Sequence, residues 1–414
     1  MNRSSKLIIA VAFLCTAMLT VFPSCQSREE EDLMRPERSS VQGVSERISP
    51  DEAIEMAKIA VGGRNTRGFD YSVAEVEILK SKSTTRSENA NDTVAYIVNF
   101  AKNAGFAVIA GSRKVYPVLA FSEDGSLDSS NELVKDNFLD RIESYLSESV
   151  ADEFKDVVPE DFESCYVETP KVLCSIGQGA PWNKFVVKDH PNCVAGCVAV
   201  ATTLVMMHAK SELKYFSSLQ NVNTTYNLNA MVKAIHVHDF PYLYPPAVAG
   251  DFKRIVGGNP SYSAYTYEQA VDSVASLLYN VGKCTYMNYG EEASSTSSTY
   301  AYAQLRSHKY NPSIFYDFDV VSVCDYILDD NLIYFKGREA SGQNGHAWVG
   351  DGCRVCYDEV TGEMNNRYIH CDWGWNGRSN GYFSGPVFSA GGYDFAKIEY
   401  MYIKRASDVY KSPR

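Results

Sequence analysis

The chain has 414 residues, a length that suits two or three domains. Hydrophobic residues make up 45% and charged residues 22%, which is typical of globular proteins and argues against a mainly disordered chain. The formal net charge is −12, from 39 Lys and Arg against 51 Asp and Glu, and it gives no support to nucleic-acid binding through clustered positive charge.

The first 25 residues have the pattern of a bacterial export signal. Arg3 and Lys6 form a basic start, and an apolar stretch from Leu7 to about Phe22 follows, which is short for a membrane span. The stretch ends just before Cys25, so we expect a lipoprotein signal with Cys25 lipidated; an ordinary cleaved signal peptide is the alternative. The expected location is the outer membrane or cell surface, or secretion after processing.

An acidic tether, residues 26–48, leads into a small α+β domain, residues 49–165. In this domain Ser49 caps a helix that begins at Pro50, and a second helix is predicted over Leu133–Ala151. The strands predicted from apolar patterning are Val73–Leu79, Thr93–Phe100, Gly105–Gly111 and Val118–Phe121. The domain holds no His and no candidate nucleophile. We therefore expect it to bind, inhibit or assist folding rather than catalyse.

A helix predicted from Cys197 to His208 is apolar nearly all round, which is typical of a buried central helix. Cys197 lies in its first turn, where free N–H groups and the helix dipole stabilise a thiolate. The small residues Ala195, Gly196 and Ala199 leave room for a substrate backbone. Cys197 is therefore a candidate nucleophile, although a buried structural Cys has the same pattern.

Three other segments supply candidate partners for this thiol, two that follow Cys197 in the sequence and one that precedes it. His346 starts a predicted strand and is a candidate general base. Another strand ends at Asp372 and runs into Trp373 and Trp375, so a carboxylate and an indole would lie beside the imidazole. Gln178 offers a side-chain N–H as an oxyanion donor. The order Gln, Cys, His and Asp or Asn is that of papain-like enzymes.

Five blocks in the same order make residues from about 175 to 405 similar to the streptopain family of papain-fold cysteine peptidases. The blocks are Gln178–Asn183, Gly196–Ala199, Val281–Ser298, Gly345–Ala347 and Trp373–Gly377. The region from Ser49 to about Leu146 resembles the propeptide of this family. The resemblance implies an α+β fold: a two-lobed papain-like peptidase domain, residues 166–414, preceded by an inhibitory prodomain.

The resemblance also implies the activity: an exported cysteine endopeptidase, made as a zymogen, that cleaves proteins or peptides through a thiolate and a thioester intermediate. Cys197 would be the nucleophile, His346 the base and Gln178 an oxyanion donor. The prodomain would inhibit by pressing a loop, residues 126–131, against the site and displacing His346. Activation would cleave within residues 152–171. The expected walls of the substrate cleft are Met287, Tyr289, Gly290, Ser294 and Ser295.

Two positions depart from the family pattern. Asp372 stands where family members commonly have Asn, so either Asp372 or Trp373 would orient His346. Lys336 lies near the place of a family Gln, and it would face solvent or favour an acidic substrate residue. The turn Gly391–Tyr393 is expected to form a mobile flap by the cleft or an ordinary hairpin loop.

Two groups of His and Cys could suggest a metal or a redox pair. They are His236 with His238, spaced as on one face of a strand, and Cys353 and Cys356 with His370 and Cys371. We expect no metal and no cofactor at either, and we expect Cys353 and Cys371 to be buried apolar residues. Apart from Cys15, Cys25 and Cys197, eight cysteines remain, an even number compatible with disulfides of unassigned pairing.

Two alternatives to an active zymogen stay open. One is a surface binding or inhibitor lipoprotein in which the peptidase fold is a catalytic relic, and the complete set of Cys197, His346 and Gln178 argues against it. The other is a different papain-fold hydrolase, acting on peptidoglycan or as a transglutaminase. The expected prodomain and the Trp373–Trp375 element argue against that one.

Overall fold

The structure is a computed structural model. It describes residues 45–62, 71–80, 93–127, 142, 145, 165–218, 220–240, 243, 265–338, 345–357, 364–385 and 399–412. The expected export signal with Cys25, residues 128–131 of the inhibitory loop, residues 152–164 of the cleavage region and the turn Gly391–Tyr393 lie outside the described residues. No helix of the described ranges is long and apolar enough to cross a membrane.

The helices begin where the sequence offers a cap or a turn. Ser49 and Glu52 form a reciprocal cap at the first helix, since each side chain bonds the backbone N–H of the other. The described helices are α1 Pro50–Gly62, α2 Lys184–Asp189, α3 Cys197–Ala209, α4 Leu228–Asp239, α5 Tyr267–Cys284, α6 Ser298–Ser307 and α7 Val320–Leu328. Ile142 and Tyr145, within the helix predicted at Leu133–Ala151, are also helical.

The predicted strands of both regions are present. The described strands are β1 Val73–Lys80, β2 Thr93–Phe100, β3 Phe106–Ala110, β4 Val118–Ser122, β5 Cys165–Glu168, β6 Glu212–Ser217, β7 Val222–Asn227, β8 Ser313–Phe315, β9 Asn331–Arg338, β10 Gly345–Tyr357, β11 Met364–Asp372, β12 Gly381–Ser384 and β13 Glu399–Lys404. This mixture of helices and antiparallel strands confirms the predicted α+β class.

Eleven strands form one sheet in the order β1-β2-β3-β4-β12-β11-β10-β9-β13-β8, with β5 also paired to β10. The first four strands belong to residues 45–127, here called the N-terminal region; the others belong to residues 165–412, the C-terminal region. The two regions join where β4 pairs antiparallel with β12, Phe121 opposite Tyr382 and Ala120 opposite Phe383. Strands β6 and β7 form a separate two-stranded sheet.

Strand β10 organises the C-terminal region because it is the longest strand and has three neighbours. Its first half pairs with β9, its second half pairs with β5, and β11 lies along its other edge. A disulfide joins Cys165 of β5 to Cys356 of β10. The segment that follows the N-terminal region is thereby fixed to the sheet of the C-terminal region.

The core lies on both faces of this sheet. On one face α3, α4 and α5 pack against Tyr334 and Val349. On the other face α7 packs in a cluster that also contains Leu119 and Leu127 of the N-terminal region with Trp348 and Trp373 of the C-terminal region. Because one cluster contains side chains of both regions, the N-terminal region completes the core next to the predicted active site.

The His and Cys groups that suggested a metal are dispersed. His236 and His238 belong to helix α4, so the expectation of a strand was wrong, and residues two apart on a helix point in different directions. His236 is buried against the Leu173 carbonyl, 2.8 Å from Nδ1, whereas His238 stacks on Tyr267. Cys356 is in the disulfide, and Cys353 and Cys371 are fully buried as predicted. The described residues contain no cluster suited to a metal ion.

Candidate active site

Helix α3 begins at Cys197 after a residue that must be glycine. Gly196 has φ +88°, and a Cβ there would lie 2.8 Å from the Met287 sulfur and 3.1 Å from the Ser294 Cβ. Every residue of α3 after Cys197 is buried, because the helix is surrounded by α4, α5, α6 and the sheet. The chain therefore presents Cys197 at the half-buried end of a rigid, buried helix.

The Cys197 thiol lies beside the start of β10. Its sulfur faces the backbone N–H groups of Val198 and Ala347, which favour the thiolate. Burial acts in the opposite direction and dominates, so the pKa of the Cys197 thiol is raised. The neighbour of Ala347 in the chain is His346, and the two predicted catalytic residues are thus brought to the same place by α3 and β10.

His346 bonds a backbone carbonyl rather than the thiol in this arrangement. Its Nε2–H donates to the Trp373 carbonyl at 2.9 Å, and its ring lies 4.9 Å from the Trp375 ring at an angle of 30°. His346 and Cys197 are both described, and no hydrogen bond joins them. Burial lowers the pKa of His346 to about 4, so the imidazole is neutral at pH 7 and Nδ1 is left unprotonated.

Three Trp side chains surround the imidazole. Trp348 follows His346 on the same face of β10, and Trp373 and Trp375 flank the turn after β11. Trp348 and Trp373 are buried, with ring centroids 5.2 Å apart. The predicted indole neighbours of His346 are therefore present, with Trp348 as an additional member.

Asp372 makes hydrogen bonds within the turn after β11 and none to the imidazole of His346. Its Oδ1 accepts the Gly374 N–H at 2.9 Å, and the Asn380 side chain also donates to it. Asn380 Oδ1 in turn accepts the Trp373 N–H at 3.1 Å. Burial raises the pKa of Asp372 to about 6 despite these hydrogen bonds. The direct partner of His346 is the backbone carbonyl of Trp373, which Asp372 and Asn380 fix from either side.

Gln178 lies next to the segment that leads into α3. Its carbonyl accepts the Ala195 N–H at 2.8 Å, and its half-buried side chain makes no hydrogen bond to the described residues. The adjoining Trp182 donates its indole N–H to Asn376 Oδ1 at 2.6 Å. The Gln178 segment, the start of α3 and the turn after β11 are therefore in mutual contact.

The expected cleft walls flank the same segment. Val194 donates to the Gly290 carbonyl at 3.0 Å, and the Ser294 hydroxyl donates to the Val194 carbonyl at 2.6 Å. Met287 touches Gly196, and Tyr289 stacks on the ring of His190 with centroids 4.6 Å apart. Ser295 pairs through its backbone with Asn288. The loop from Met287 to Ser295 thus borders the entry to α3.

Lys336 fits neither of its two predicted roles. Its ammonium bonds Glu399 on the neighbouring strand β13 at 3.0 Å, and its side chain is 18% exposed. The positive charge is therefore already paired within the sheet.

Patterning identified the candidate catalytic residues but missed two residues that lie beside them. Trp348 was seen only as part of an apolar strand, although its place two residues after His346 puts both on one strand face. Asn380 lies just beyond the Gly-rich turn before β12, where an Asn indicates side-chain bonds to nearby backbone.

Comparisons with known proteins agree with these features. The model of the Peptidase C10 family matches residues 176–383, just over half of the chain, and the model of the Spi protease inhibitor matches residues 45–148. Streptopain of Streptococcus pyogenes serotype M28 is 25% identical over 325 residues, covering 70% of this chain and 73% of that protein. Streptopain of serotype M1 is 24% identical over the same length and the same shares.

Among solved structures, a fragment of Prevotella intermedia prointerpain A is 18% identical, with a TM-score of 0.48. That match covers 81% of this chain and 100% of the fragment.

Proposed function

Because the chain belongs to the peptidase C10 family and is a cysteine peptidase zymogen with an inhibitor-like propeptide, we propose that it is an exported endopeptidase with Cys197 as nucleophile. His346 is the base and Gln178 an oxyanion donor, and the substrates are proteins and peptides. The domain boundaries we propose are those expected from the sequence: a signal to residue 25, a tether to 48, a prodomain to 165 and the peptidase after it.

One observation carries the assignment of Cys197. Its sulfur lies at the N-terminus of the buried helix α3 and faces the Ala347 N–H, so it adjoins the strand residue that bears the imidazole. Of the other six free cysteines among the described residues, all but Cys193 are buried, and a buried thiol in apolar surroundings is inert.

We infer that the zymogen is latent because its two reacting groups are not hydrogen-bonded to each other and are both neutral. Burial raises the pKa of the Cys197 thiol and lowers the pKa of His346 to about 4. The N-terminal region supports this state. The Asn99 side chain donates to the Leu127 carbonyl and accepts the Leu127 N–H, and Leu127 packs in the same cluster as Trp373. Loss of that region frees Trp373 and Trp375 to move, and His346 Nδ1 then turns to the thiol.

In the processed enzyme, His346 takes the proton of Cys197, and the N–H groups at the start of α3 stabilise the thiolate. The thiolate attacks the peptide carbonyl, and the Gln178 amide with the Cys197 N–H bind the oxyanion, a stabilisation of about 3 kcal/mol per donor. His346 protonates the leaving amine. Water, activated by His346, then hydrolyses the thioester and returns the thiol.

Export and lipidation at Cys25 are part of the proposal. They rest on the basic start, the short apolar stretch and the Cys that follows it. A lipid on Cys25 would anchor the zymogen to a membrane surface through the acidic tether, and cleavage of the prodomain would release the peptidase from that anchor.

Casein hydrolysis by the enzyme that is obtained by processing the full chain tests the function. Hydrolysis should stop after alkylation with iodoacetamide, and Cys197→Ala should lower the rate by at least about a thousandfold. Cys193→Ala is the matched control, since Cys193 is a half-buried free thiol four residues away, and it should keep wild-type activity. Failure of the processed wild type to cleave casein or any other unfolded protein would refute the proposal.

A further inference from the structure

Strand β12 is an edge of the peptidase sheet that the N-terminal region covers. Among the described strands, only β4 pairs with it on that side, through Phe121 opposite Tyr382 and Ala120 opposite Phe383. When the propeptide leaves, the outer N–H and C=O groups of β12 lose their partners. An unpaired edge strand is a ready template for another extended chain.

Two aromatic side chains of the peptidase, Tyr368 and Tyr382, lie beside this edge and contact Phe121; they are here called the aromatic seat. Phe121 of β4 stacks on Tyr382, with centroids 5.3 Å apart at 16°, and meets Tyr368 edge-on at 5.1 Å. Tyr368 is fully buried and Tyr382 is 7% exposed while Phe121 is in place. Removal of Phe121 would therefore uncover two large rings on the peptidase.

A buried cation lies beside the same seat. The Arg354 guanidinium is 5.0 Å from the Phe121 ring and 5.2 Å from the Tyr382 ring, and its Nη2 bonds Glu123 at 2.9 Å. Its Nε has no partner among the described residues, although Arg354 is only 8% exposed. Arg354 thus contacts an aromatic ring, Phe121 of β4, and a carboxylate two residues later, Glu123 just after the end of β4.

The seat is continuous with the turn after β11. Arg354 and Tyr382 line a crevice of about 1000 Å³ between the two regions, together with Asp372, Asn376 and Asn380 of the turn that holds His346. A chain seated on β12 therefore lies next to the turn whose Trp373 carbonyl bonds His346.

We propose that the processed enzyme uses Arg354, Tyr368, Tyr382 and the edge of β12 as an exosite for protein substrates. Its ligand is an extended segment with an aromatic residue followed two positions later by Asp or Glu, the pattern that Phe121 and Glu123 present in the zymogen. This inference rests on the proposed peptidase function. A second copy of the chain fits less well, because β12 carries no acidic residue and would leave Arg354 unpaired.

A synthetic peptide with the sequence from Tyr116 to Asp124 is the first probe. Fluorescence anisotropy should show it binding the processed wild-type enzyme after alkylation by iodoacetamide, which prevents its cleavage. The same peptide carrying Phe121→Ser and Glu123→Lys should bind at least about tenfold more weakly. In initial-rate assays the first peptide should raise the KM for casein and leave the hydrolysis of a short fluorogenic peptide unchanged.

Arg354→Gln in the full chain is the second probe. After processing, its kcat/KM for casein should fall about tenfold, while its kcat/KM for the short fluorogenic peptide stays at the wild-type value. Lys404→Gln is the matched control, because it removes an exposed positive charge from β13, away from β12 in the strand order of the sheet, and it should change neither value. If Arg354→Gln does not fold or process, the peptide measurements on the wild type decide alone.

Three results would overturn the exosite. In the first, Arg354→Gln lowers kcat/KM equally for casein and for the short fluorogenic peptide. In the second, the synthetic peptide inhibits the hydrolysis of both substrates equally. In the third, the processed enzyme is a dimer that the synthetic peptide dissociates. These differ from failure of the proposed function, in which the wild-type enzyme would cleave neither casein nor the short peptide.

Discussion

Asp372 shows how a single residue can keep its place in a motif and do something other than its position suggests. Its carboxylate lies in the turn after β11, bonded to the Gly374 N–H and to Asn380, while the Trp373 carbonyl bonds the imidazole. An Asn could keep the first of these contacts, because its Oδ1 can accept the Gly374 N–H. The family's preference for Asn at this place is therefore compatible with a turn-holding role.

The titration of Asp372 gives a prediction for Asp372→Asn. The folded-state pKa is about 6, above the usual 3.8, so the stability that this group contributes is present at low pH and is lost as the pH rises through 6. From pH 5 to 7.5 the wild type should lose about 1 kcal/mol of unfolding free energy through Asp372, and the variant should not. Urea unfolding in a Cys197→Ala background measures the difference.

Asp317→Asn controls for that prediction, because Asp317 is an exposed carboxylate on the far side of the sheet order, near β8. The gap between Asp372→Asn and the wild type should widen with pH, whereas the gap for Asp317→Asn should stay constant. If the difference in unfolding free energy between Asp372→Asn and the wild type were the same at both pH values, the pKa of the Asp372 carboxyl would not be raised.

At the scale of elements, the start of α3 depends on backbone that few residues can adopt. Gly196 combines a positive φ with a Cβ position already occupied by Met287 and Ser294. A side chain there would push the cleft wall away from the segment that presents Cys197. Helix α3 and the loop from Met287 to Ser295 are thus adjusted to each other at one glycine.

Gly196→Ala should therefore lower the unfolding free energy by about 1 to 3 kcal/mol and reduce kcat on a short peptide. Gly179→Ala is the matched control, since a Cβ at Gly179 meets nothing within 4 Å and its φ is not in the left-handed region. Denaturant unfolding and steady-state kinetics of both variants check the expectation. Equal stability of the two variants would contradict it.

At the scale of the whole molecule, buried neutral histidines make the zymogen sensitive to acid. His208 accepts the Leu173 N–H and donates to the Leu204 carbonyl, and burial lowers its pKa to about 4, as it does for His346. Both folded-state values lie below the usual 6.5, so the unfolded chain binds more protons and stability falls as the pH drops from 6.5 towards 4. Asp372 acts in the opposite direction and is outweighed.

The full-length Cys197→Ala chain should lose about 2 kcal/mol of unfolding free energy through each of His208 and His346 between pH 7.5 and pH 5. His208→Gln should reduce this loss, and His238→Gln, at an exposed histidine, should leave it unchanged. Urea titrations at the two pH values provide the measurement. Stability that is constant or higher at pH 5 would contradict the assignment of neutral histidines.

The sequence predicts local features of this molecule well, because local residues determine them. The glycine before Cys197 and the apolar run after it are enough to place the helix, and alternation is enough for strands such as Thr93–Phe100. Contacts between distant segments are not encoded in any short window. The pairing of β4 with β12 and of Cys165 with Cys356 therefore had to come from the structure.

The same limit applies within the candidate site. His346 was identified from its strand, but its bond to the Trp373 carbonyl depends on how the turn after β11 orients a peptide group. His236 and His238 were misread because a spacing of two has meaning only once the element is known to be a strand, and α4 is a helix.

Because a disulfide joins Cys165 to Cys356, cleavage of the linking segment has one of two outcomes, which depend on the side of Cys165 that is cut. A cut before Cys165 severs the last covalent connection to the propeptide, which is then free to diffuse away. A cut between Cys165 and Lys171 only nicks the chain, because the propeptide stays attached through sulfur until a reductant arrives. Under oxidising conditions, liberation of the peptidase therefore requires the first kind of cut, and β5 remains with the peptidase as its leading strand.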